Sequence, residues 1–225
     1  MKRLLFLALA ITAVALQGFC QDTENWYYET NTSGQEVPRK FLGIRANLDI
    51  TAPGDATADG IGIELFEPGA GFSAGLVYNT PLGRKFYFEP GLYLYYQTMG
   101  CNKDFLYDVE SASVRQFGVR IPLQVGMRFK TRTGFFSIST GPGINIGLSG
   151  KLHAEESGQS VNVDVYKDDL NRFDINWNFG CAIHFKQWMI GFNGNMGILN
   201  MLKDIDEVKW HQNFITIGFG YNFAI

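Results

Sequence analysis

The sequence predicts an all-β protein, an eight-stranded antiparallel transmembrane β-barrel. Three observations predict it. The stretch Thr216–Phe223 alternates strictly: Ile215, Ile217, Phe219, Tyr221 and Phe223 fall on one side, and Thr216, Gly218, Gly220 and Asn222 on the other. An apolar face opposite a face of small and polar residues suits a sheet with lipid outside and a filled interior. Segments of this kind recur along the chain at about the length a tilted transmembrane strand needs. The connections between them alternate between long and short. Barrels with short periplasmic turns and longer extracellular loops produce that alternation; a soluble sandwich has no reason to.

The first residues, 1–20, read as a secretory signal. Lys2 and Arg3 precede the apolar run Leu4–Leu16, which is short for a membrane helix. Cleavage after Cys20 suits the Gly18-Phe19-Cys20 site. Lipidation of Cys20 is disfavoured, because Phe19 and Gln17 replace the small and aliphatic residues that signal requires. Residues 21–40 are polar apart from Trp26, Tyr27 and Tyr28 and lack periodicity. They are expected to lie outside the barrel on the periplasmic side. Residues 41–225 form the barrel.

The first strand is Phe41–Ile50, with Leu42, Ile44, Ala46, Leu48 and Ile50 outward and Arg45 and Asp49 inward. The second is Phe72–Asn79. The third, Phe86–Gln97, turns Tyr87, Glu89, Tyr93 and Tyr95 inward. The fourth, Gln116–Phe129, alternates most cleanly, with seven apolar residues from Phe117 to Phe129 facing Arg120, Gln124 and Arg128 across the strand. The fifth is Phe135–Leu148. The sixth is Arg172–Phe185, with Arg172, Asp174 and His184 inward. The seventh is Trp188–Ile198 and the last Phe214–Phe223. Pro90, Pro122 and Pro142 fall within strands, where they cannot donate to a ladder, and are expected to mark bulges. The aromatics Trp26, Tyr78, Trp177, Trp188 and Trp210 are read as interfacial girdle residues at the barrel rims.

Composition agrees. Aromatics make up 15% of residues and there are 26 glycines, while the mean hydropathy is only −0.05. A barrel averages its hydropathy because only every second residue meets lipid. Removing Lys2 and Arg3 from 19 basic residues, against 22 acidic ones, leaves a net charge of −5. No basic face for nucleic acid is present. Cys101 lies in a polar stretch and Cys181 on an apolar face, so no disulfide is expected.

Further residues carry a resemblance. These are Gly43-Ile44-Arg45-Ala46-Asn47-Leu48-Asp49, Phe88-Glu89-Pro90-Gly91-Leu92-Tyr93-Leu94, Val119-Arg120-Ile121-Pro122-Leu123 and Thr140-Gly141-Pro142-Gly143. From Phe41 to Phe223 the chain resembles the small outer-membrane β-barrel family of Bacteroidota, the PorT-like porin family with OmpA/OmpX-like architecture. Thr216, Gly218, Tyr221 and Phe223 also resemble the C-terminal insertion signal of such barrels, although Ala224 and Ile225 follow the aromatic that usually ends the chain. The resemblance implies residence in the cell outer membrane, contact with its lipid and lipopolysaccharide, and recognition by the barrel-assembly machinery during insertion. The family shares a fold, not one activity.

An eight-stranded barrel is just wide enough for side chains to fill it. The inward set Arg45, Arg120, Arg128 and Arg172, against Asp49, Glu89 and Asp174 with His184, is therefore read as a paired polar plug; a gated ion path is the sharper alternative. In the loops, His153, Glu155 and Ser157 cluster, with His211 elsewhere, but they look like solvated loop residues and no catalytic site is expected. Asp55–Gly60 resembles the opening of a calcium loop, yet Phe66 stands where the closing Glu belongs and Glu67 comes one later. Asp164, Asp168 and Asp169 lack metal-ligand spacing. No metal or cofactor is expected. The leading expectation is a non-enzymatic barrel that anchors surface loops for envelope or partner contacts. The alternatives are a narrow channel or accessory subunit of a transport or secretion complex and, below it, a membrane-embedded lipid or peptide hydrolase.

Overall fold

The computed structural model describes residues 25–58, 60–102, 111–156, 159–203 and 208–225. Residues 1–20, which were expected to form a signal and include Cys20, lie outside the described residues, as do Asp59 of the acidic stretch and Ser157.

Strict alternation lets every strand satisfy a lipid face and an interior face at once. The eight barrel strands are β1 (Phe41–Thr51), β2 (Gly69–Leu82), β3 (Phe86–Cys101), β4 (Ser111–Lys130), β5 (Gly134–Glu156), β6 (Phe173–Phe185), β7 (Trp188–Gly197) and β8 (Phe214–Ala224). Each pairs antiparallel with the next. β8 then returns to β1, with Phe214 opposite Thr51 and Ala224 opposite Phe41, so the wall closes without an edge.

The burial pattern is that of a soluble protein turned inside out. Leu48, Phe72, Leu92 and Ile183 are each more than half exposed on the outer face, whereas Arg45, Asp49, Asn79 and Asn222 are at most 1% exposed inside. Only a surrounding apolar solvent makes that arrangement favourable. Trp188 and Tyr78 stand exposed at the short-turn end, with the Trp188 ring edge-on to Tyr221 at 5.0 Å.

The short connections are 83–85, 131–133 and 186–187. At the other end the strands continue well past the 9–11 residues a span needs: β4 has 20 and β5 has 23. The top of β5 folds back on the strand Gln159–Asp164, which leads into α1 (Val165–Asp168). The described parts of the long connections are thus largely built structure. The stretch expected to open a calcium loop is a β-hairpin, Ala56–Ala58 against Ile61–Ile63, and Gly60 takes the positive φ its turn requires.

The prolines behave differently from expectation. Pairing is interrupted beside Pro90, Pro122 and Pro142, but the register on either side is continuous: Thr140 pairs Val125 and Gly143 pairs Pro122 across the same offset. Missing donors thin the ladder without inserting a residue. A register shift of β5 against β4 lies instead between Gly147 and Ser149. It reverses the parity of β5 above that point and turns Leu152 toward apolar neighbours.

Candidate functional site

The barrel interior holds two polar layers, each backed by an apolar closure. Near the long loops, Arg120 on β4 reaches Asp49 on β1 in a 2.7 Å ion pair, with both side chains buried. Its second amino group donates to Gln97 Oε1 at 2.5 Å. Gln97 donates to Gln116 (2.6 Å), which also accepts from Gln212 (2.8 Å), while Thr216 donates its hydroxyl to Asp49 (2.7 Å). The guanidinium lies over the rings of Phe214 (3.8 Å) and Tyr95 (4.3 Å). A charge removed from water persists only with such partners.

The second layer lies toward the short turns. Arg45 donates to Asn222 Oδ1 at 2.8 Å. Glycine flanks it at Gly43 and Gly220: a Cβ at Gly220 would stand 2.7 Å from Arg45 Cδ, so the guanidinium fits only because those side chains are absent. Arg128 donates to Asn79, which in turn donates to Glu89 at 2.6 Å. The Arg128 guanidinium also stands 5.0 Å from the centre of Phe135 and 5.2 Å from that of Tyr87. His184 stacks on Phe135 with ring centroids 4.0 Å apart. Unlike Arg120, neither Arg45 nor Arg128 forms an ion pair among the described residues; the Asn222 amide and the Ile44 carbonyl hold Arg45, and the Asn79 amide with ring faces holds Arg128. In the layer near the long loops, Asn145, which pairs across the strands with both Arg120 and Asp174, donates to the Asp174 carboxylate at 3.3 Å.

Arg172 does not join this set. It is exposed, one residue before β6 begins, with its guanidinium 5.5 Å from the Tyr166 ring centre. The inward parity assigned to it starts only at Asp174.

Between the layers remains a polar cavity of about 70 Å³, lined by residues such as Asn47, Ser73, Gln124, Asn145, Asn178 and Asn193. Water needs roughly 10–15 Å³ and two to four polar partners, so the cavity is roomy enough for several. Among the described residues, polar side chains fill much of the interior around this pocket.

Both closures come from segments that lack sequence periodicity. At the short-turn end the chain before β1 does not stay outside. Tyr27 enters the mouth and is fully buried with Phe41 and Phe135, and Trp26 and Tyr28 pack beneath. Asn222 donates to the Tyr27 hydroxyl at 2.7 Å, and Asn25 donates to the Thr131 and Gly134 carbonyls. Burial pushes the Tyr27 phenol well above its ordinary range. At the long-loop end, Trp210, Tyr166, Met201, Leu170, Val165 and Met99 form a second apolar core over the upper layer. Trp210 is therefore a core residue, and the girdle assignment fails for it because the loops fold into a lid. Tyr166 seats itself against Gly147 and Gly150, where a Cβ would collide with its ring.

Of the loop candidates, those among the described residues, His153, Glu155 and His211, do not meet at one site. His153 Nδ1 lies 3.0 Å from Asn162 Oδ1 and its Nε2 lies 3.6 Å from Glu155, on the rim of the β5 extension. His211 Nδ1 contacts the Leu199 carbonyl at 3.0 Å. Among the described residues, no group of three or more His, Cys, Asp or Glu is placed to hold a metal ion. Cys101 and Cys181 are free thiols. Of the C-terminal residues, Thr216 and Gly218 face the interior, Tyr221 is half-buried beside Trp188, and Phe223 is exposed on the outer wall.

Three solved structures run a similar course. OprG from Pseudomonas aeruginosa is 13% identical, covering 83% of this chain and 97% of that one, with a TM-score of 0.46. Neisserial surface protein A is 11% identical, covering 81% and 97%, at 0.44. Ail, the attachment invasion locus protein of Yersinia pestis, in complex with the heparin analogue sucrose octasulfate, is 13% identical, covering 82% and 99%, at 0.41. Likeness at this level carries no argument about activity. No curated protein sequence matches the chain. The family model described as "Outer membrane protein beta-barrel domain" matches residues 27–203, well over half the chain. The ring of eight strands, the lipid-facing belt and this match lead to one conclusion: the protein belongs to the outer-membrane β-barrel family and resides in the outer membrane.

Proposed function

We propose that the protein is a closed, non-enzymatic anchor whose work is done by the structured extensions beyond its extracellular rim. The observation that carries this reading is the pair of closures. Tyr27 with Phe41 and Phe135 fills one mouth, and the Trp210 cluster covers the other. Among the described residues, both mouths are thereby obstructed for a diffusing solute. The partners that the two loop histidines do have, the Asn162 side chain for His153 and the Leu199 carbonyl for His211, suit a structural role and so support a binding reading over hydrolysis.

The extensions supply a contact surface. The strand Gln159–Asp164 pairs on one side with β5 and terminates the sheet on the other, and Val161 and Val163 are about half exposed. An unpaired edge with exposed β-branched residues favours a partner that adds an extended segment. Envelope proteins and extracellular surfaces both offer such segments. Thr216, Gly218, Tyr221 and Phe223 serve, in this reading, as the signal that the barrel-assembly machinery recognises, and the outer wall meets phospholipid and lipopolysaccharide.

A narrow channel, or an accessory subunit of a transport or secretion complex, is the second reading. The polar cavity and the Arg45 and Arg128 guanidinium nitrogens without protein partners favour it. Planar-bilayer recording separates the two. The closed anchor shows no steady conductance; a steady conductance lost in Arg120→Ala and Arg128→Ala rejects it. Co-purification from mildly solubilised envelopes, compared with Val161→Lys, tests the contact surface: a partner retained equally by both proteins removes that edge from consideration.

A further inference from the structure

We infer that a groove at the periplasmic end binds an anionic phospholipid of the inner leaflet. The groove runs between the N-terminal hairpin, Tyr28–Thr30 against Glu36–Pro38, and the first two short turns. Its volume is about 680 Å³, within the range of small-molecule sites. One wall is apolar and continuous with the lipid belt: Met127 and Phe129 on β4, with Phe86 beside Met127 on β3. The other wall carries Arg84, Lys85 and Lys130.

The charges there are not balanced. Glu36 is matched by Lys130, whose ammonium also sits 5.0 Å from the Tyr28 ring centre. Arg84 donates to the Gln35 amide oxygen at 2.9 Å, a neutral acceptor that leaves its charge uncompensated. Lys85 is exposed and makes no side-chain hydrogen bond or ion pair among the described residues. Two cations therefore stand at the rim of an apolar trough, at the height where Trp188 and Tyr221 mark the membrane boundary. That order, cation above and hydrocarbon below, matches a phosphodiester headgroup with its acyl chain. Basic pockets at the membrane interface bind anionic headgroups by the same juxtaposition. The hairpin forms one side of the groove, and the Arg84–Gln35 and Lys130–Glu36 contacts tie it to the turns.

The test uses the full chain extracted from membranes in mild detergent, with fold monitored by the heat-dependent mobility of the barrel on gels. Native mass spectrometry compares retention of phosphatidylglycerol and chain-matched phosphatidylethanolamine. Wild type is expected to retain the anionic lipid at least about tenfold better, two interfacial cations each contributing a several-fold factor. Arg84→Gln with Lys85→Gln brings the ratio near one, while Lys151→Gln with Lys209→Gln, equal charge removed from the far end, leaves it unchanged. Phe129→Gln lowers retention of both lipids. Excess glycerol 3-phosphate does not displace the bound lipid. Equal retention of the two lipids by wild type overturns the inference, as does a preference that survives the double substitution. Displacement by glycerol 3-phosphate overturns it too, because the groove would then be a site for free phosphate.

Discussion

Replacing Arg120 by Met tests the central claim about the interior, that its charges are held as a network. Methionine keeps most of the stem and the packing between Tyr95 and Phe214, and removes the guanidinium. Three things are lost: the 2.7 Å ion pair to Asp49, the 2.5 Å hydrogen bond to Gln97, and the cation over two rings. The Asp49 side chain has no exposed surface and keeps one donor, the Thr216 hydroxyl at 2.7 Å. Removing one member of a buried pair costs about 3–5 kcal/mol, because the other charge stays buried. Asp49→Asn is expected to cost less, about 1.5–3 kcal/mol, since Arg120 retains Gln97 and the ring faces. The double substitution removes both charges, and its cost falls short of the sum by roughly 1–3 kcal/mol. Reversible urea unfolding from lipid vesicles, followed by tryptophan fluorescence, measures all three. A loss below about 1 kcal/mol for Arg120→Met, the range of exposed pairs, refutes the reasoning, and so do additive losses.

Four further outcomes follow from the closures and the glycine seats. Tyr27→Ala empties the periplasmic mouth and is expected to cost about 3–5 kcal/mol in the same urea assay, while the Trp210 cluster keeps the other mouth covered and no steady conductance appears. The same phenol makes a pH prediction: its folded pKa is raised above the unfolded value near 10, so its contribution is full below about pH 10 and lost as pH rises further. Base-induced loosening of the N-terminal segment, read by hydrogen exchange, should therefore be weaker in Tyr27→Phe. Trp210→Ala is expected to cost about 3–5 kcal/mol and to expose the long connections to protease without changing the strand content seen by circular dichroism. Gly220→Ala drives a methyl against Arg45 and should destabilise by about 1–3 kcal/mol in the same urea assay, whereas Gly194→Ala, whose Cβ would meet open space, should not.

The barrel wall was legible because lipid enforces a period of two on every strand. A residue facing hydrocarbon must be apolar, so Phe117–Phe129 on β4 and Ile215–Phe223 on β8 announce their faces without any knowledge of neighbours. Arg172 shows where that logic ends. Alternation assigns a side to a residue only while the strand lasts, and β6 begins at Phe173. The shift between Gly147 and Ser149 was hidden for a related reason: Leu148 and Ser149 both face outward, and no local rule distinguishes this from the end of a strand. The prolines mislead in the opposite direction. A missing donor looks like a bulge in sequence, yet a ladder tolerates the gap when the strands on both sides keep their offset.

The closures could not be read because each depends on residues far apart in the chain. Tyr27 is buried only because Phe41, Phe135 and Asn222 arrive from three different strands to make its site, and Trp210 only because Met99 and Tyr166 do the same above. Neither segment has a periodic signal, since a residue inserted along a barrel axis belongs to no face of any sheet. The sequence does carry a weaker cue. Trp26, Tyr27, Tyr28 and Trp210 are large aromatics in otherwise polar, non-periodic stretches bordering barrel strands. In water such residues need cover, and in a closed barrel the only cover outside the lipid is the mouth itself. The filling of the two ends is thus a consequence of the same solvent contrast that builds the wall, applied to segments that cannot alternate.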